Sequence, residues 1–142
     1  MKKIILAAVT AIFLSTAVLS VHHENNEVVL PVKISKNDIA GDIYNHPDMV
    51  QSTDNGNTTL DVTTLMSSDG KFGTGMYRSG KIRYEITEPW GHDEFFYVLE
   101  GSITLTSADG TVSKINAGEA ASIPKEWTGI WDTNGYNKIW VI

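Results

Sequence analysis

The chain contains no cysteine, which removes disulfides, thiol nucleophiles and thiolate metal sites from consideration. It also lacks any run of lysine or arginine: 17 acidic residues face 11 basic ones, a formal charge of −6. Such a surface repels phosphate backbones and anionic lipid, so neither nucleic acid nor membrane is an expected partner of the mature protein. Helical periodicity is missing beyond Tyr44. At 142 residues there is room for one domain with a modest core. What the chain does hold is aromatics: four Trp, five Tyr and four Phe, enough to fill much of that core or to line a pocket.

The first 20 residues, MKKIILAAVTAIFLSTAVLS, combine a basic start, an apolar run from Ile4 to Leu14 and a small-residue end. This is the layout of a secretory signal peptide, with Val18 and Ser20 placed for a cut before Val21 and a second candidate cut after Ala17. No basic cluster follows as a stop-transfer signal, so cleavage is expected over retention as an anchor. The protein is then exported, periplasmic or secreted. Loss of Lys2 and Lys3 leaves nine basic residues against 17 acidic, or −8. His22 and His23 would sit near the new N-terminus as a solvated tail.

Residues 21–57 read as an N-terminal extension. Val28 to Ile34, interrupted by Pro31, suggests an edge strand, where proline is tolerated. Ser35 to Tyr44 suggests a short helix, with Ser35 as N-cap and Asp38 three residues on. Gln51 to Thr59 is a loop by composition, and its Asn57-Thr58-Thr59 matches a glycosylation acceptor by a pattern short enough to arise by chance.

From residue 58 to 142 the period is two. Leu60, Val62 and Thr64 alternate with polar or threonine positions, and Asp69-Gly70 marks a hairpin. Further strands are expected over Phe72–Arg78, Lys81–Thr87, Phe95–Leu99, Ser102–Thr106, Thr111–Ile115, Ala120–Ile123, Thr128–Thr133 and Lys138–Ile142. Gly101, Asp109-Gly110, Gly118 and Asn134-Gly135 punctuate them. Many short strands with glycine turns imply an all-β, single-domain sandwich or barrel.

Two fixed intervals carry more. Glu94 is followed after six residues by Gly101, and Gly118 after five by Pro124. These resemble the two signature motifs of the cupins. The wording FFYVLEGSITLTSADGT, with Gly129-Ile130-Trp131 downstream, is most similar to the small cupins related to (S)-ureidoglycine aminohydrolase and the ethanolamine-utilisation protein of the Q type. The resemblance implies a jelly-roll β-barrel over residues 58–142 and a homodimer as the default assembly. The chain departs from that branch at Glu126, where a glycine is usual.

In metal-binding cupins the first motif supplies two histidines and a glutamate and the second a third histidine. These positions fall here on Glu88, Trp90, Glu94 and Gly129. Only the glutamate, Glu94, is kept, although the ureidoglycine enzymes also carry Glu at the first position. Tryptophan is a donor only and glycine has no side chain, so no metal is the favoured cofactor. A divalent ion would need Glu88, His92 and Glu94 together, a carboxylate-rich set that non-haem iron accepts.

Side chains at i, i+2 and i+4 share a face, so Ile82, Tyr84, Ile86, Glu88 and, where the strand persists, Trp90 should point one way, and Glu94, Phe96 and Val98 share a face on the next strand. The cupin resemblance implies that Glu88 and Glu94 point into the barrel. Glu88 and Glu94 are the candidate acid–base pair, one holding a proton against the other. Tyr84, Trp90, Trp127 and Trp131 are the candidate ligand-binding aromatics. Carboxylates within aromatic walls suit a small polar or amine-bearing metabolite. The expected function is therefore small-molecule binding. The alternatives are a metal-assisted hydrolase of the ureidoglycine aminohydrolase type and a structural, dimer-forming domain with a filled barrel.

Export has a direct test. Mass spectrometry of the protein from its native host is expected to find a mature N-terminus at Val21 or Val18. Intact Met1 in a soluble cytoplasmic fraction would end the idea.

Overall fold

Alternating side chains, rather than helix propensity, set the architecture. In the computed structural model, residues 28–142 are described; the signal-peptide segment and His22 and His23 lie outside them. Residues 31–142 form one compact unit of nine antiparallel strands: β1 (Val50–Asp54), β2 (Asn57–Met66), β3 (Gly73–Ser79), β4 (Ile82–Ile86), β5 (Glu94–Ser107), β6 (Val112–Asn116), β7 (Ala120–Ile123), β8 (Gly129–Thr133) and β9 (Tyr136–Val141). The all-β expectation holds.

One strand joins the two halves of the barrel. The first half of β5 pairs with β7 and β9, giving the order β1-β2-β3-β9-β5-β7. Its second half pairs with β6 and β8, giving β6-β5-β8-β4. Gly101 was expected to stop a strand. Instead it is the corner of a continuous one, with φ of +75° just beyond a bulge between Val98 and Glu100. A Cβ there would run into the Gly135 carbonyl oxygen and lie 3.0 Å from Tyr136 Cα. Glycine is required because the two halves of the barrel touch backbone to backbone at this turn.

Inside, Phe96, Val98 and Ile103 are fully buried together with Leu105, Ile115, Ile123, Trp131 and Trp140. The alternation expected along β5 is met: Glu94, Phe96 and Val98 are buried while Phe95 and Tyr97 are exposed. The opposite face of the larger sheet is covered by the N-terminal segment. Ser35 Oγ accepts from the Asp38 amide at 3.1 Å and Asp38 Oδ2 accepts from the Ser35 amide at 2.7 Å. This capping box starts α1 (Lys36–Ala40), which a 3₁₀ turn over Asp42–Asn45 follows. Ile43 and Tyr44 from that turn pack on Val62 and Met76, and Tyr44 Oη donates to Asn137 Oδ1 at 2.6 Å.

Two local expectations are corrected. Val28 to Ile34 forms no strand. It carries apolar side chains and a proline but joins no ladder. Gln51 to Thr59 is not a loop: β1 and β2 form a hairpin about Asn55 and Gly56, both left-handed with φ of +47° and +80°. Asn-Gly is the strongest two-residue hairpin signal; every residue of β1 is exposed, so no apolar alternation announced the strand. Within β2, Asn57 is buried and donates to Ser79 Oγ at 3.2 Å. The glycosylation pattern is thus a chance match in a structural residue.

The corner can be tested against a turn of similar φ with open space. Gly101→Ala should cost upward of about 3 kcal/mol, combining a left-handed alanine with a backbone clash. Gly110→Ala, at φ of +85° with nothing within 4 Å of its Cβ position, should cost about 1 kcal/mol. Urea denaturation of both variants measures the difference, and equal losses would refute the corner's role.

Candidate functional site

The inner face of the larger sheet carries an unbroken row across four strands. Asp61 on β2 pairs in register with Tyr77 on β3, Tyr77 with Lys138 on β9, and Lys138 with Val98 on β5. The next inward residue of β5 but one is Glu94. Lys138 and Glu94 are each 5 % exposed, and Lys138 Nζ donates to Glu94 Oε1 at 2.5 Å. Isolated charges so deeply buried would each lose several kcal/mol of hydration, so pairing is what makes them tolerable.

Aromatic rings supply the rest of the surroundings. Nζ lies 4.9 Å from the centre of the Phe96 ring, 5.0 Å from Trp131, 5.7 Å from Tyr77 and 5.9 Å from Tyr136. The quadrupoles of these rings partly replace water around the ammonium. Burial nonetheless pushes the Lys138 ammonium below its usual range, opposed by the adjacent Glu94 carboxylate and by Asp61.

Trp90 holds the other oxygen of Glu94, donating from Nε1 to Oε2 at 3.0 Å. It stands in the β4–β5 loop, which is pinned to the β7–β8 connection. Trp90 N donates to Trp127 O at 3.0 Å, Gly91 N to Lys125 O at 2.8 Å, and Lys125 N to Asp93 Oδ1 at 3.0 Å. The Trp90 indole stacks on Trp131 at 5.5 Å and 12° and meets Trp127 edge-on at 6.5 Å.

Around these groups lies a cavity of about 410 Å³. Ile82, Tyr84 and Ile86 from β4, with Trp131 of β8 beside Tyr84, line it from the smaller sheet, and Tyr136 and Trp140 on β9 line it from the larger. Tyr84 is 49 % exposed and stands at the mouth. Asp61 also lines the cavity and accepts from Trp140 Nε1 at 3.2 Å. Burial raises its carboxyl above 3.8, with the Trp140 hydrogen bond and the Lys138 charge pulling the other way. With Asp61, Glu94 and Lys138 ionised, the interior carries one net negative charge.

Of the residues singled out in the sequence, Glu94, Tyr84, Trp90 and Trp131 come together here, with His92 beside them. Glu88 does not. β4 ends at Ile86 and Pro89 follows, so the alternation that would turn Glu88 inward stops short and leaves it exposed in a bend. The neighbour of Glu94 is therefore an ammonium, not a second carboxylate. Trp127 is outside the lining: it braces Trp90 and donates from Nε1 to Ser107 Oγ at 3.2 Å. Lys138, Asp61, Tyr77, Tyr136 and Trp140 were not anticipated. The one available signal was Tyr136-Lys138-Trp140, a lysine set at the alternating positions of an aromatic strand face.

A divalent ion, implied by the resemblance to metal-binding cupins, does not fit these residues. His92 Nε2 lies 3.9 Å from Glu94 Oε2, but Glu88 is absent from the set. A Cβ at Gly129 would meet the Thr106 carbonyl oxygen and lie 2.9 Å from the Trp127 ring, so no ligand side chain can stand there. Both oxygens of Glu94 are engaged, and a fixed cation already faces one of them. Among the described residues, no three His, Asp or Glu side chains converge.

The model of the EutQ-like cupin domain family matches residues 67–138, about half of the chain and the span that holds Glu94, Trp90, Trp131 and Lys138. The chain belongs to the EutQ-like cupin family. No curated protein matches the chain. Among solved structures, this EutQ-like cupin is similar to a DUF861-family protein of unknown function from Pseudomonas syringae pv. tomato, with a TM-score of 0.59 and 14 % identity over 66 % of this chain. It spans less than half of that protein, 43 % of its length. The EutQ protein of Clostridium difficile gives 0.52 and 21 % over 66 % of this chain and 74 % of that one. A cupin superfamily protein from Desulfitobacterium hafniense gives 0.50 and 11 %, over 65 % and 81 %. At such identities the likeness is one of fold.

The buried pair predicts a non-additive mutant series. Lys138→Met alone strands the Glu94 carboxylate and should cost about 3–5 kcal/mol. Lys138→Met with Glu94→Gln removes both charges and should recover most of that loss. Chemical denaturation of the single and double variants measures the coupling; additive losses would show that the pair is not an energetic unit.

Proposed function

We propose that this EutQ-like cupin is an exported binding protein that takes a small polar, amine-bearing metabolite into its aromatic cavity. The observation that carries this reading is Asp61. Lys138 bonds to Glu94 and reaches Asp61 only through its field, so Asp61 is the carboxylate of the lining with no cation bonded to it among the described residues. A half-buried carboxylate in that condition favours a ligand cation that restores its balance. Tyr84, Trp90, Trp131 and Trp140 supply faces on which an alkylammonium group is held by cation–π attraction and apolar contact. In binding the metabolite, Glu94, paired with Lys138, is part of the wall.

Thermal shift with choline and its neutral isostere 3,3-dimethyl-1-butanol tests the charge requirement. Choline is expected to raise the melting temperature and the isostere to leave it unchanged. Asp61→Asn should abolish the choline response while folding normally. An equal response to both compounds, or an unchanged response in Asp61→Asn, would overturn the reading.

The same variant carries a pH signature. The folded-state pKa of Asp61 lies above 3.8, so between 3.8 and that value the folded protein binds more protons than the unfolded chain. Stability therefore falls as pH rises through this window, and the penalty is complete above it. Asp61→Asn should melt higher than wild type at neutral pH, by roughly 2–5 °C. That advantage should shrink as the pH is lowered and vanish below 3.8.

A further inference from the structure

Lys138 has chemistry that charge balance alone does not use. It is a primary amine on the wall of a cavity open at Tyr84, with four aromatic rings within 6 Å of its nitrogen. Its one hydrogen-bond partner among the described residues is Glu94 Oε1, which leaves two of its three protons without a fixed acceptor. Glu94 is in turn held in place by Trp90. A carboxylate is thus positioned to take a proton from the amine and to return it to an atom beside it. In apolar surroundings the neutral pair of amine and carboxylic acid competes with the ion pair better than it does in water, because both ions lose hydration.

We propose that Lys138 captures a small aldehyde or ketone in the cavity as a reversible imine, with Glu94 carrying the proton. The ammonium first gives a proton to Glu94. The freed nitrogen lone pair then bonds to the carbonyl carbon, and the C=O π pair moves onto oxygen. Proton exchange through Glu94 moves protons from nitrogen to that oxygen until it departs as water, leaving a protonated carbon–nitrogen double bond. One carbonyl compound and one ammonium become one iminium and one water; Glu94 ends as the carboxylate it began as, and no oxidant or reductant takes part. The aromatic walls favour a carbonyl compound with an alkyl or aryl body. Shelter from bulk water slows hydrolysis of the imine.

Like the binding reading, this one rests on the cavity admitting a small ligand, but it does not depend on Asp61. The test treats the purified protein with propanal and sodium cyanoborohydride near neutral pH and follows alkylation of each lysine by peptide mass mapping. Lys71, whose side chain is 84 % exposed, is the internal reference. Lys138 is expected to be alkylated at least tenfold faster than Lys71, and Glu94→Gln should bring that ratio down to near one. Alkylation of Lys138 no faster than that of Lys71 in the wild type would overturn the proposal, whether or not the Glu94 variant folds. Fast alkylation unchanged in a folded Glu94→Gln would overturn the role given to Glu94. A choline response without Lys138 alkylation sinks the imine and spares the binder, whereas alkylation without a choline response does the reverse.

Discussion

A charged pair buried inside an aromatic barrel is the constraint around which this molecule is arranged. Lys138 and Glu94 sit on neighbouring strands, β9 and β5, and each would be prohibitive alone. Their contact demands the registry of those strands, because a slip of one residue by either strand would turn its charge to the outer face and leave the other buried alone. It also demands Trp90, whose indole satisfies the second carboxylate oxygen. The loop that carries Trp90 is held by backbone bonds to the segment after β7. Strand pairing, loop position and the second motif region therefore converge on one carboxylate.

The aromatic residues serve two purposes that are usually separate. Trp131 is 4 % exposed and belongs to the hydrophobic core, yet one of its faces lines the cavity and lies 5.0 Å from the Lys138 nitrogen. Trp140 is core on one side and a donor to Asp61 on the other. It fits only because Gly75 opposite has no side chain: a Cβ there would lie 2.6 Å from the indole Cε2. Core and site share their atoms, so repacking one alters the other.

The sequence was most legible where alternation and turn chemistry agreed. Period alone puts Glu94, Phe96 and Val98 on one face, the cupin resemblance turns that face inward, and Ser35 with Asp38 marks the capping box. Glu88 was misplaced by carrying the alternation past the end of β4, where Pro89 breaks it. Asp61 was hidden because Leu60 and Val62 beside it are apolar. They pack with Ile43 and Tyr44 on the outside of the sheet, which leaves the polar side of β2 facing the barrel interior. Lys138 was hidden by the ordinary rule that lysine seeks water. Only knowledge of its partner across the strands reverses that rule, and pairing between distant strands is not written in local pattern. The β1–β2 hairpin was masked by exposure on both faces, although Asn55-Gly56 announced its turn.

The placement of β9 has a consequence for the order in which this barrel is made. β9 is the last of the described strands in the chain, yet in the larger sheet it lies between β3 and β5, bonded to both. The ladder β1-β2-β3 has no route to β5 except through it. The early hairpins can form on their own, but they face each other across a missing middle. Closure must wait for residues 136–141, and by then both flanking strands have long been exposed. Assembly is thus a single late event that joins segments far apart in sequence, with the loop-closure cost that implies. The strand that completes the barrel also delivers the ammonium on its inner wall.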